Sequence, residues 1–214
     1  MVTQHLKNLQ KKIMGLFDKI FKRSREIKLG LYGPPNSGKT TLANTICMDW
    51  LGEELGSVSE VPHETREIQT KENVVLENNG KKITFNVIDT PGIATKIDFE
   101  DFIKTGLKKG DAKQRAKEAT RGVIESIKWL DKVDAVLVVL DATEDPISQV
   151  NITILGNLEA RGIPVLIVAN KLDLKESNAT AIRSAFPQYE VIGISAKYRN
   201  NTDALYQKLF EMLK

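Results

Sequence analysis

Gly33-Pro34-Pro35-Asn36-Ser37-Gly38-Lys39-Thr40 meets every position of the phosphate-loop pattern Gly-x-x-x-x-Gly-Lys-[Ser/Thr]. Glycines at both ends let a backbone wrap close to a polyphosphate, so that successive N–H groups and the helix N-terminus behind the loop face its oxygens. Lys39 would then reach the outer phosphates and the Thr40 hydroxyl would ligate Mg²⁺, with Ser37 and Thr41 at the same loop-helix junction. The flanks have the form such a loop requires. Glu26 to Tyr32 reads as a strand entering it, and Leu42, Ala43, Ile46 and Trp50 recur at helical spacing behind it until Gly52.

Working outward, Val74 to Leu76 and Ile83 to Ile88 read as strands joined at Asn79-Gly80, a hairpin signal. Ser57 to Lys71 is polar and aperiodic and reads as a mobile loop. Ala135 to Leu140 and Pro164 to Ala169 are apolar runs of strand length, the pattern of strands covered on both faces. Helical patterns carry Ala116, Ala119, Val123, Ile127 and Leu130, then about 147–160, 178–185 and 202–213, with a last strand near Glu190 to Ile194. This alternation predicts one α/β domain, a mostly parallel six-stranded sheet with helices on both faces, over residues 26–214. Crossovers of one hand bring the strand ends to a single ligand edge.

The chain of 214 residues suffices for one such domain. It contains a single cysteine, Cys47, so an intrachain disulfide is excluded and the chain suits a reducing cytoplasm. No apolar run reaches the ~20 residues of a transmembrane helix. The formal charge of +3 is small, but it is unevenly placed. Leu6, Leu9, Ile13, Leu16, Phe17, Ile20 and Phe21 fall on one helical stripe, and Lys7, Lys11, Lys12, Lys19, Lys22, Arg23 and Arg25 make the other side cationic. Residues 1–25 therefore read as a basic amphipathic helix. It has three candidate counterparts: its own domain or a protein partner, an anionic membrane at the inner face, and nucleic acid. A second basic stripe, Lys113, Lys117 and Arg121, lies at four-residue spacing on a later helix. It reads either as a solvated face or as an effector surface.

Asn170-Lys171-Leu172-Asp173 follows a strand directly and matches the needs of a guanine base. Asp173 offers two acceptors to N1–H and the 2-amino group, a donor pair that adenine lacks. Asn170 can bond N7 and tie this loop to the phosphate loop, while the Lys171 stem can cover the base plane. Ser195-Ala196-Lys197, after the last strand, would close the base from the other side with a backbone N–H to O6.

With Asp89-Thr90-Pro91-Gly92, and Pro62-His63-Glu64-Thr65-Arg66 before it, five motifs occur in order, and from Glu26 onward the chain resembles the Era and MnmE group of translation-factor-class GTPases. The resemblance is to the G domain, without the RNA-binding KH domain of Era. It implies GTP and GDP as substrate and product. Asp89 is implied to hold Mg²⁺ through water, the Gly92 N–H to contact the γ-phosphate, and Thr65 to close on Mg²⁺; His63 reads as a loop residue. It also implies that Asn36 ligates K⁺ beside the phosphates. Ile93 stands where Ras-like proteins carry a water-orienting glutamine, and a hydrocarbon cannot hydrogen-bond water. The segment from 93 to 131 is an extended second-switch region. The expectation is a Mg²⁺-dependent, potassium-assisted GTPase acting as a switch, with slow unaided turnover of about 10⁻⁴ to 10⁻² s⁻¹. Two alternatives are a nucleotide-gated membrane or partner-binding module and an RNA- or ribosome-associated GTPase.

Overall fold

The structure is a computed structural model, and it describes residues 27–55, 67–78, 81–93, 106 and 108–214. The N-terminal amphipathic pattern of residues 1–25, Thr65 and the Asn79-Gly80 pair lie outside the described residues.

Strand β1 (Ile27–Tyr32) leads through the phosphate loop into helix α1 (Lys39–Leu51). The hairpin β2 (Gln69–Asn78) and β3 (Lys81–Asp89) follows. Helix α2 (Lys109–Trp129) ends in a 3₁₀ turn, Leu130–Lys132. Next come β4 (Ala135–Asp141), α3 (Gln149–Ala160), β5 (Val165–Asn170), α4 (Ala179–Ala185), β6 (Glu190–Gly193) and α5 (Thr202–Leu213). These form one six-stranded sheet in the order β2-β3-β1-β4-β5-β6. Only the β2–β3 pair is antiparallel. The fold is the doubly wound α/β architecture read from the sequence.

Alternation along β4 shows why helices cover both faces. Ala135, Leu137 and Val139 face a core built with Leu42, Ile46 and Cys47 of α1 and Leu205 and Leu209 of α5. Val136, Val138 and Leu140 face the opposite core, with Ile154 and Leu158 of α3 and Ile182 of α4. Both sets are buried, so an apolar residue is favoured at every position and the strand reads as a continuous run. Helix α1 stops where the chain turns left-handed at Gly52 (φ 73°), whose N–H caps Met48 O.

One expectation needs correction. Gln69 to Lys71, read as loop, are the first residues of β2 and pair with Val87 to Asp89. They were illegible because β2 is an edge strand whose polar residues face water. Its register also shifts between Lys71 and Val74, where Asn73 adopts φ 59° and its N–H donates to Asn86 Oδ1 at 3.0 Å. Asn78 pairs with Lys81 at the end of the ladder. Among the described residues no helix is long and apolar enough to cross a membrane.

Candidate functional site

The site forms where the strand order reverses. From β1 the chain connects to β3 on one side and β4 on the other, which leaves a crevice at their carboxyl ends. Gly38 caps α1 with φ 92°, and a Cβ there would stand 2.3 Å from Asn170 Nδ2, so glycine is required on two counts.

Lys39, 5% exposed, folds back over the loop, and its Nζ donates to Pro34 O at 2.8 Å. Burial pushes its pKa down to about 8, against the opposing pull of the Asp89 charge. An ammonium so poorly solvated has much to gain from phosphate oxygens. Below it the Thr40 hydroxyl donates to Asp89 Oδ2 at 2.6 Å. Asp89 Oδ1 and Ser37 Oγ are buried without hydrogen-bond partners. Burial raises the Asp89 pKa, while the bond from Thr40 and the Lys39 charge oppose the rise. A hydroxyl beside a carboxylate with an orphaned oxygen is a donor set that a water-bearing Mg²⁺ ion would satisfy, so these residues fit that ion. Among the described residues the Asn36 side chain makes no hydrogen bond; it is exposed, with φ 60°. Its amide oxygen is therefore available to a cation.

The Asp-Thr-Pro-Gly segment is fixed against this loop. Thr90 Oγ1 donates to Leu31 O at 2.7 Å, and Ile93 N donates to Gly33 O at 3.1 Å. A Cβ on Gly92 would stand 2.8 Å from both Cα and N of Pro35, so the two backbones touch. The Ile93 side chain, 4% exposed, belongs to the core beside Tyr32 and Ile88 and is turned away from any attacking water. On the α2 side, Ser126 Oγ shares its one proton between Gly122 O at 2.8 Å and the more distant Pro91 O at 3.2 Å, while Tyr32 Oη donates to Ser126 O at 3.0 Å. Burial raises the Tyr32 pKa well above the usual phenol range, so it stays a donor.

Asn170, 3% exposed, joins the two halves of the site. Its Nδ2 donates to Ser37 O at 2.9 Å and its Oδ1 accepts from Ala196 N at 3.0 Å. That uses the Ala196 N–H, one of the three in Ser195–Lys197 from which the sequence reading expects a bond to a base carbonyl. Asp173 is exposed and oriented by Ser195, whose Oγ donates to Asp173 Oδ1 at 2.5 Å. Lys171 takes φ 67° and its Nζ pairs with Asp141 Oδ2 at 2.6 Å, which orients the stem. Lys197 is exposed, its Nζ 5.4 Å from the Tyr198 ring centroid. Thr41 contributes a backbone carbonyl, which accepts from Thr45 Oγ1 at 2.9 Å.

Sequence reasoning missed Asp141, although a carboxylate ending an apolar strand was a visible signal. It also missed Thr45, Asp49 and Ser126, whose partners are too remote in the chain for spacing to reveal. Lys117 and Arg121 of the basic stripe line a cavity of about 780 Å³ together with Glu67, Glu118 and Glu125. The stripe is therefore charge-mixed on that side.

The sequence profile of a family described as 50S ribosome-binding GTPases matches residues 28–171. GTPase Era of Geotalea daltonii is 35% identical over 192 residues, covering 86% of this chain and 54% of that protein. GTPase Der of a Sulfurihydrogenibium species is 29% identical over 194 residues, covering 86% of this chain and 37% of that protein. The chain thus spans about half or less of the curated relatives it matches. In structure it is similar to an Era variant from Aquifex aeolicus bound to GDP and aluminium fluoride, with a TM-score of 0.66 and 23% identity over 89% of this chain and 58% of that one. An Era structure with MgGDPNP and a segment of 16S ribosomal RNA gives 0.64 and 23%, over 89% and 57%.

Proposed function

The chain belongs to the family of 50S ribosome-binding GTPases, and from that premise we propose that it is a GTP-hydrolysing molecular switch. Water attacks the γ-phosphorus in line, the β–γ anhydride P–O bond breaks, and GDP and phosphate leave. The observation that carries this reading is the join at Asn170, which bonds the phosphate loop through Ser37 O and the base loop through Ala196 N. It supports a reading in which triphosphate chemistry and guanine selection share one edge. Lys39 neutralises charge on the outer phosphates, and the N–H groups of the loop from Asn36 to Thr41 hold the phosphate oxygens. Asp173 and the loop Ser195–Lys197 select guanine. Thr40 and Asp89 would hold Mg²⁺, with Thr65 as a further ligand; bound there, the ion supplies charge neutralisation and fixes the phosphate oxygens. Asn36 would hold K⁺, which adds positive charge where the transition state gains negative charge. With Ile93 buried, the attacking water is held by other groups, while the Gly92 N–H contacts the γ-phosphate.

The test is phosphate release from GTP with Mg²⁺ in KCl and in NaCl, for the parent and Asn36→Ala. Turnover that is faster in KCl for the parent alone supports the potassium role. Equal rates in all four conditions refute that role, and no Mg²⁺-dependent release above background refutes hydrolysis.

The link from Pro91 through Ser126 to α2 favours α2 as the output element, since a shift at Gly92 on γ-phosphate loss would move Ser126. Its exposed Lys113, Lys117 and Arg121 make a ribosomal surface the partner class to test. Co-sedimentation with 50S subunits should be stronger with a non-hydrolysable GTP analogue than with GDP; equal sedimentation in both states argues against a nucleotide-gated contact.

A further inference from the structure

The loop that follows β6 is held from behind by α1, through residues to which the nucleotide site assigns no task. Asp49, in the last turn of α1, divides its carboxylate between two partners. Oδ1 pairs with Arg199 at 2.8 Å, just beyond Ser195–Lys197, and Oδ2 accepts from Tyr206 Oη of α5 at 2.5 Å. Only a fifth of the Asp49 side chain is exposed. Tyr206 is buried edge-on against Trp50 of α1, with ring centroids 5.6 Å apart, so it cannot follow a loop that swings away. One turn earlier, Thr45 Oγ1 shares its one proton between Thr41 O at 2.9 Å and Ala196 O at 3.1 Å. The loop is closed on itself by reciprocal bonds between Ser195 and Asn200, of 3.1 and 3.0 Å, and Arg199 holds φ 55°. Asn170 and Asp173 hold the start of the loop from the β5 side. Asp49 and Thr45 hold it from the other side, from the helix that begins at Lys39.

We propose that Asp49 is a positioning residue for base recognition: by gripping Arg199 and Tyr206 it holds the 195–200 loop against the purine, and so sets how slowly a guanine nucleotide is released. The proposal rests on the guanine reading of this site. On that reading its chemistry is specific: the loop would offer a backbone N–H to the 6-oxygen, and with Ser195 N bonded to Asn200 O and Ala196 N to Asn170 Oδ1, the N–H of Lys197 is the one to do so. A ligand without that oxygen loses the loop's direct contact and keeps only the indirect one, through Ser195 and Asp173. Charge-assisted pairs of this kind are the stronger hydrogen bonds, so losing both is expected to accelerate release by about tenfold.

The experiment measures GDP release by displacement of a fluorescent GDP, and equilibrium binding of 2-aminopurine riboside diphosphate, which lacks the 6-oxygen and with it the N1–H, keeps the 2-amino group and reports through its own fluorescence. Expected for Asp49→Ala is GDP release about tenfold faster, with 2-aminopurine riboside diphosphate binding within twofold of the parent. Arg199→Ala and Tyr206→Phe should each accelerate release a few-fold, and Arg199→Ala should add nothing in the Asp49→Ala background. Arg199→Lys should restore part of the retention. If Asp49→Ala fails to fold, the Arg199 and Tyr206 variants carry the test. GDP release unchanged within twofold across the variants overturns the proposal, as does an equal loss for both ligands, which marks general loosening. A parent chain that binds neither GDP nor GTP would instead refute the guanine reading itself.

Discussion

Replacing Asn170 by alanine tests the join between the two halves of the site. The side chain makes two buried hydrogen bonds, 2.9 Å to Ser37 O and 3.0 Å from Ala196 N. Truncation leaves a buried carbonyl and a buried N–H without partners, each costing about 1–3 kcal/mol less whatever an entering water restores. The vacated volume is that of a small amide bounded by Gly38, whose Cβ position lies 2.3 Å from Asn170 Nδ2, so there is room for one water but not for a repacked side chain. We therefore expect a loss of about 2–4 kcal/mol of unfolding free energy in urea, measured without nucleotide. Titration calorimetry should also show GDP affinity at least about thirtyfold lower, since every 1.4 kcal/mol is a factor of ten. Asn170→Asp should be worse at neutral pH, because it sets a carboxylate against Ser37 O. A loss below about 1 kcal/mol together with unchanged GDP affinity would refute the reasoning, for no other side chain makes these two bonds.

Gly92→Ala forces a Cβ to within 2.8 Å of the Pro35 backbone; stability should fall by about 1–3 kcal/mol, and discrimination between a GTP analogue and GDP should narrow. Retention of full discrimination in competition binding would show that Gly92 does not sense the γ-phosphate. Burial pushes the Cys47 thiol up to about 11 from its ordinary 9.0. The folded chain therefore keeps a proton that the unfolded chain releases, and stability should fall between pH 9 and 11 by about 1.4 kcal/mol per pH unit at most. Urea melts of the parent and Cys47→Ala across that range check it, and identical alkaline slopes would contradict the assignment. Ser126→Ala removes the bond to Pro91 O; nucleotide-dependent protection of α2 amides in hydrogen exchange should shrink, whereas unchanged protection would remove Ser126 from the link between Gly92 and α2.

The sheet was legible where burial leaves the residue type little freedom. β4 and β5 are covered on both faces and appear as apolar runs, and α1 is bracketed by the glycines that its caps require. Gln69 to Lys71 was hidden because an edge strand faces water and the bulge at Asn73 breaks its alternation. In the site, residues whose task is set by backbone geometry or base chemistry sit at fixed offsets, so Gly38, Lys39, Asn170 and Asp173 could be found by spacing. Contacts that lock those residues in place join positions more than 100 apart, as with Thr45 and Ala196 or Asp49 and Tyr206. No local pattern encodes such pairs. Lys171 shows a further limit: the partner of its ammonium, Asp141, is defined only once β4 and β5 lie side by side.

Guanine selection by Asp173 is the claim on which the reading of this edge rests, and a nucleotide switch tests it most directly. On this reading the carboxylate would accept from the base's N1–H and 2-amino groups, and Asp173→Asn would put a donor where xanthine carries a carbonyl. Sites built to hydrogen-bond a ligand reject the mismatched one by large factors, so preference should move by at least about a hundredfold. The measurement is Mg²⁺-dependent binding and hydrolysis of GTP, xanthosine triphosphate and ATP by the parent and by Asp173→Asn. A parent that selects GTP and a variant that selects xanthosine triphosphate, with ATP poor for both, is the predicted result. The same preference order in both proteins would contradict it.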